Sequence, residues 1–326
     1  IITSLFLLLI TKKRFSHLIA TITVALYLTT YSTLFNSVFS FGISIATMFL
    51  IIGIYFIYNR QNYLVAGIFF GFAGITRFLT LIPIMIIFGL TLLKNRKKFI
   101  RLLIGFSIIF ILLNLILIIL VGKSYIESVF KFHLLKSPLS LEKFSEYFNT
   151  LKLNWIVFVL PLLIFFTKIN KKIFDILVIS IIYLTTLVIM GRLFSFYFVP
   201  IIPFISILAG YSIVLFLSKI KNKKILIPVI IIMISLFSWN LLSDYSFLTK
   251  VGYKSLDRFQ DINNLINSRF PENLEIFGDD SSVTLFALST NRKILHNYID
   301  TNPAVFKTNL VDIDKTIESI NTKNFI

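Results

Sequence analysis

The chain has 326 residues, 57% of them hydrophobic and 14% charged, with a net charge of +17 and no cysteine. So much apolar surface exceeds what one soluble core can bury, and a bilayer must solvate the rest. The lack of cysteine excludes a disulfide framework and a thiolate metal site.

The charge has a pattern that argues against nucleic acid as its purpose. Half of the 32 Lys and Arg lie in short loops between apolar runs: Lys12-Lys13-Arg14, Arg60, Lys94 to Arg101, Lys168 to Lys172 and Lys219 to Lys224. This is the positive-inside signature of a multi-pass protein of the cell membrane. Ile1 to Ile10 is too short to span alone, so the sequence reads as starting inside a helix, and Asn324-Phe325-Ile326 reads as the start of a strand.

With every basic cluster on the cytoplasmic side, the path is self-consistent. Ile1 to Ile10 descends, His17 to Thr33 rises and Phe39 to Tyr58 returns. Tyr63 to Leu93 is flanked by basic residues at both ends and must cross an even number of times. It divides into a rising Tyr63 to Thr76, a turn at Arg77 and a descending Phe78 to Leu93. Gly67, Gly71 and Gly74 are expected to let those two helices approach closely. Fourteen residues rise only about 21 Å, so Arg77 should sit below the outer surface of a hydrocarbon layer about 30 Å thick.

Ile100 to Val121 rises to an external loop, about residues 122–153, in which charges interleave with apolar residues as in interfacial amphipathic helices. Trp155 to Phe166 descends, Ile173 to Met190 rises, Phe194 to Leu217 descends and Ile225 to Leu242 rises last. The transmembrane helical domain is thus 1–242, followed by an extracytoplasmic domain over 243–326. That tail holds nine basic and eleven acidic residues. It reads as a small α/β unit: a helix from Ser255 to Ser268, a strand Leu274 to Phe277, a helix capped at Asp280 or Ser281, a strand Lys293 to Tyr298 and a helix Val311 to Ile320. The fold class is mainly α, with this small α/β appendage.

Arg77 stands out because a guanidinium among apolar neighbours is costly in a membrane unless it is paired or lines a polar cavity. It is a candidate for binding an anionic group, with Thr76 as a neighbouring hydroxyl; the alternative is a snorkelling interfacial arginine. Gly191-Arg192 forms a second tip, followed by Ser195 and Tyr197, with Pro200 and Pro203 breaking the next helix. Two permanently charged forks suit a phosphate or diphosphate; Arg192 could equally be an anchor, and Tyr197 part of an aromatic belt. His133, near Lys131 and Lys136, could act as acid, base or phosphate contact. With three His, a histidine-built zinc site is not expected. No acid precedes Glu127, Asp175 reads as an interfacial acid, and Asp279-Asp280 reads as a helix cap more simply than as a metal site.

Two stretches resemble a known family. Leu64 to Pro83, LVAGIFFGFAGITRFLTLIP, and Gly191 to Ser212, GRLFSFYFVPIIPFISILAGYS, are similar to the glycine-rich helix and the basic, aromatic tip of GT-C glycosyltransferases of family 39, the group of protein O-mannosyltransferases and lipid A aminoarabinose transferases. The tail from Thr290 to Asn302 resembles the small domains of prokaryotic members. The resemblance implies a hexosyl- or pentosyltransferase using a polyprenyl-phosphate sugar donor and a protein or lipid hydroxyl as acceptor. It maps Arg77 and Arg192, with Thr76 and Tyr197, near the donor phosphate. It also implies an aspartate in a first external loop, which would precede Ile1, so the chain is expected to be N-terminally truncated. A second acid, expected near the start of Phe39 to Tyr58, is replaced here by the neighbourhood of Ser44, Thr47 and Met48. No cofactor is identified, and a divalent cation is left open. Membrane lipids are the other expected partners. The alternatives are a transporter or flippase of lipid-linked glycans and a noncatalytic relative that binds glycolipid.

Overall fold

The computed structural model describes residues 1–38, 42–126, 142–166, 169–190, 194–271, 273–276 and 283–294. It is mainly helical. In chain order the helices are α1 Ile2–Arg14, α2 His17–Thr29, α3 Tyr31–Val38, α4 Ile43–Tyr55, α5 Tyr63–Thr76, α6 Leu81–Lys94 and α7 Arg96–Val121. There follow α8 Lys123–Ile126, α9 Glu142–Leu153, α10 Trp155–Val159, α11 Lys171–Ile189, α12 Ile202–Lys219, α13 Lys223–Arg269 and α14 Val283–Thr290. A π turn, Phe56–Arg60, extends α4; 3-10 segments Phe78–Thr80, Leu160–Phe166 and Ser195–Ile201 precede α6, follow α10 and precede α12. The chain divides into two compact units, Ile1–Leu120 with Pro138–Asp244, and Val121–Ser137 with Tyr245–Ile326.

The first unit is a helical bundle whose helices begin at polar caps. The side chains of Ser16, Asn62 and Asn170 accept hydrogen bonds from the first-turn amides of α2, α5 and α11, which satisfies donors that lipid cannot. Five of the described helices are long and apolar enough to cross a membrane, or up to seven if each bent pair counts as one span. The expected span from His17 to Thr33 is one such pair. It bends by 59° between α2 and α3, where Thr30 is extended and its hydroxyl bonds back to Leu26 O. α9 and α10 meet at 94°. Asn154 holds that joint, accepting from the Ser32 amide at 2.9 Å and donating to Thr150 O at 2.7 Å.

The hairpin predicted for residues 63–93 is present. Phe70 faces Phe88 with ring centroids 6.3 Å apart, and Gly74 abuts Leu81, so the chain reverses around residues 77–80. The glycines, however, serve a different neighbour from the expected one. A Cβ on Gly67 would overlap the Leu102 carbonyl oxygen, one on Gly105 would overlap Leu64 O, and one on Gly71 would lie 2.8 Å from Ile109 Cβ. Only Gly74 faces α6, at Leu81, and it also meets Phe110. The close crossing is therefore between α5 and α7. The reason is steric: α7 supplies Gly105 at the crossing, whereas α6 presents Ile84, Ile87 and Phe88, whose side chains hold backbones apart.

The basic clusters converge on one end of this bundle. Lys13 Nζ donates to Asn59 O, Lys172 Nζ to Arg14 O, and Lys219 Nζ to Phe166 O, while Lys98 lies 5.2 Å from the Tyr63 ring centroid. Asp175, read from sequence as an interfacial acid, lies at this end and is buried there between two cations. Lys94 Nζ lies 2.6 Å from each of its oxygens, and Arg14 Nη2 lies 3.4 Å away. One carboxylate thus joins α1, α6 and α11. The core above it is built from fully buried Leu7, Ile10, Leu50, Phe70, Ile173 and Tyr183, and α12 is buried from Ile202 through Ile213.

In the second unit, Ile276 and Ile294 form a parallel bridge, with the Ile276 amide donating to Lys293 O at 2.8 Å. α14 connects the two bridge positions and packs Val283 and Ala287 against Ile276 and Ile294. Arg292 donates to the carbonyls of Phe270 and Pro271. The predicted separate helix starting at Ser255 is corrected: residues 255–268 continue α13, which runs unbroken through Gly252. The predicted caps at Asp280 or Ser281 and the helix Val311 to Ile320 lie outside the described residues.

These contacts set the expected losses of three variants. Gly67→Leu should lose about 3 kcal/mol, since backbone faces the new side chain and cannot yield like a rotamer. Asp175→Asn should lose roughly 3 kcal/mol by leaving Arg14 without its counter-charge. Lys94→Met should cost less than about 1 kcal/mol, because the Lys94 side chain is 59% exposed against 8% for Asp175. Thermal unfolding of the purified chain in detergent checks the order; an Asp175→Asn midpoint equal to that of Lys94→Met would contradict it.

Candidate functional site

α5 starts beside the basic end, at Asn62, and its fourteen residues carry the chain about 21 Å along the bundle before it breaks at Arg77. Arg77 is extended, with φ −153° and ψ 115°. Its amide donates to Ala73 O at 3.1 Å, closing α5. Its carbonyl accepts from the Thr80 amide at 3.0 Å and the Thr80 hydroxyl at 2.8 Å, opening the turn that leads into α6. The main chain is thus fully tied while the side chain is exposed.

Two neighbours shape the space around that guanidinium. Gly42 starts α4 in the left-handed region at φ +69°, and a Cβ there would lie 3.5 Å from Arg77 Nε. Glycine serves both needs at this position, the positive φ and room for the arginine. Tyr197 lies within electrostatic range of Arg77, so two of the residues singled out from sequence come together although 120 positions separate them. Tyr197 is fixed from behind: its carbonyl accepts from the buried Tyr183 hydroxyl at 2.6 Å, and its ring lies edge-on to Phe194 and Phe196, 5.5 and 4.9 Å away. The expected irregularity at Pro200 and Pro203 is seen. Pro200 lies in the 3-10 segment and Pro203 in the first turn of α12.

The other predicted residues divide into those turned elsewhere and those outside the described residues. The Thr76 hydroxyl donates to Phe72 O at 2.7 Å, within its own helix. Ser44 donates to Asn36 O at 3.1 Å, and Thr47 is buried and bonded to Ile43 O. Arg192 and His133 lie outside the described residues, as do Gly191 and Asp279-Asp280. Among the described residues no three His, Cys, Asp or Glu side chains gather as a metal-ligand group.

Sequence reasoning missed a polar set on α3 and at the far end of the apolar part of α13. Asp244 is buried, with 6% of its surface exposed, and lies within electrostatic range of Tyr31. Its signal was a carboxylate at the end of an otherwise apolar run, 21 residues after Lys223. Thr33 Oγ1 and Asn36 Oδ1 are buried oxygens with no hydrogen-bond partner among the described residues. Such orphans are rare and ask for an explanation. α3 packs against both the N-terminal part of α4 and the segment Ser195–Ile201, which puts these oxygens on the same end of the bundle as Arg77. On a different flank, Ile22, Leu26, Trp155, Val159, Met233 and Phe237 line a wholly apolar groove of about 280 Å³ between α2, α10, α12 and α13.

Chemically, this end offers a cation held by its backbone, an aromatic wall with a phenol and buried oxygens able to accept from hydroxyls; the apolar groove, on its other flank, can take a hydrocarbon chain. Comparison with protein-family models, with curated proteins and with solved structures finds no match to the chain.

Proposed function

We propose that the chain is a membrane glycosyltransferase that moves a sugar from a polyprenyl-phosphate donor to a protein or lipid hydroxyl on the extracytoplasmic side. The observation that carries the reading is Arg77: an exposed arginine on a hydrogen-bonded turn between two short apolar helices, within electrostatic range of Tyr197 at the end of the bundle away from the basic clusters. The resemblance of Leu64 to Pro83 and Gly191 to Ser212 to family 39 transferases adds the reaction class. In this reading the positive-inside rule puts the Arg77 end outside the cell, and the residues after Ser243 form a small α/β domain there, of which the parallel bridge between Ile276 and Ile294 is a part.

The chemistry follows from where charge develops. The acceptor oxygen attacks the anomeric carbon as the bond from that carbon to the phosphate oxygen breaks, and the acceptor proton passes to a general base. The leaving polyprenyl phosphate gains negative charge, which Arg77 stabilises from a position fixed before the reaction. Arg192 is the second cation of the reading and His133 its acid–base candidate, Thr33 and Asn36 receive sugar hydroxyls, and the apolar groove takes prenyl units.

The test is transfer from a radiolabelled polyprenyl-phosphate sugar by membranes containing the chain. Arg77→Ala should lower the rate at least about 100-fold, the loss typical of one preorganised charge-stabilising donor, and Arg77→Lys should keep part of it by retaining the charge without the fork. Transfer at the wild-type rate by an equally abundant Arg77→Ala protein would remove the reading, as would donor translocation without transfer.

A further inference from the structure

At the basic end of the first unit, Lys13, Arg14, Tyr58, Asn59, Lys171 and Lys172 line a cavity of about 280 Å³. Its lining presents four cations, Lys13, Arg14, Lys171 and Lys172, and no carboxylate; Asp175, which contacts Arg14 and Lys94, lies outside the lining. Three of the four are also tied by neutral partners. Lys13 donates to Asn59 O, Lys172 to Arg14 O at 3.2 Å, and Arg14 to Lys172 O. Carbonyl dipoles orient these groups without cancelling their charge.

Loop lysines that only obey the positive-inside rule would spread into water, since like charges about 4 Å apart repel by roughly 1 kcal/mol even there and more in a concave, poorly hydrated site. Here they are drawn into one cavity. The floor is rigid: the Arg14 side chain is 10% exposed and stacks 3.8 Å over the Tyr58 ring, and Asn59 Nδ2 is fixed to Leu9 O at 3.0 Å. Lys171 and Lys172, in the first turn of α11, are the exposed rim. A preorganised guanidinium beneath two exposed ammonium groups is a recognition pattern for a phosphate with its remaining charge turned toward solvent.

We infer that this cavity is a binding site for a phosphate-bearing anion, separate from the Arg77 end and independent of the glycosyltransferase reading. Its position at the mouth of apolar helices suits the headgroup of an anionic phospholipid, as basic pockets between membrane helices do.

Native mass spectrometry of the whole purified chain tests it. The protein is presented with phosphatidylglycerol, with neutral phosphatidylcholine or with inorganic phosphate. The wild type should retain phosphatidylglycerol over phosphatidylcholine, and the double variant Lys171→Gln/Lys172→Gln should lose about tenfold in that retention. A control variant, Lys12→Gln/Lys97→Gln, removes two exposed cations outside the cavity and should keep it. Wild-type binding of inorganic phosphate alone, lost in the same double variant, assigns the site to a free anion. Equal losses in both variants would show diffuse surface attraction and overturn the site, and so would no loss in either. Folding is verified by unchanged thermal unfolding, and Lys171→Arg, which keeps the charge, should restore retention if Lys171→Gln alone lowers it.

Discussion

The bundle depends on a buried carboxylate. Asp175 reaches Arg14 from 161 residues away and Lys94 from 81 residues away, and so fixes the relative heights of α1, α6 and α11. In lipid, apolar faces give little preference for one axial register over another, because neighbouring acyl chains are as apolar as a leucine. A charge that must find its counter-charges removes that freedom. Because Asp175 is also the only acid at this end among the described residues, the surrounding cations exceed what it can neutralise, and that excess makes the neighbouring cavity a place for an external anion.

A second constraint is steric. Gly67 on α5 and Gly105 on α7 let two backbones meet where any Cβ would collide. α5 is thereby held against a 26-residue helix while α6 folds back along it through Phe70 and Phe88. The result is a short hairpin whose tip residue, Arg77, is held on a hydrogen-bonded turn rather than left at the end of a flexible loop.

The two ends of the bundle differ in backbone regularity. At the basic end, capped helices begin and finish with side chains on carbonyls. At the other end the chain bends between α2 and α3, turns sharply at Asn154, breaks at Arg77 and tightens into a 3-10 turn before α12. Each break frees backbone and polar groups that lipid cannot satisfy, and each is tied by a specific bond: Thr30 to Leu26, Asn154 to Ser32, Thr80 to Arg77 and Tyr183 to Tyr197. Polar chemistry gathers where regular helix ends, which is why the proposed donor site belongs there.

The sequence alone determined the class of the protein, the hairpin with its turn at Arg77, the sharing of one end by the basic clusters, and the start of α5 and α12 irregularity at Asn62 and Pro200. These properties are local or additive: helix length against bilayer thickness, charge in loops, and proline's missing amide. It misassigned the glycine face and divided α13 at Ser255, and it showed neither the bend between α2 and α3 nor the burial of Asp175. It passed over Asp244, Thr33 and Asn36. Those depend on which helices become neighbours, and an apolar helix carries little periodic signal of its partners when lipid and protein are equally apolar. Only the tertiary structure could bring Arg77 beside Gly42 and Tyr197, or Asp175 between Arg14 and Lys94, because directional contacts between residues far apart in the chain exist only once the helices have packed.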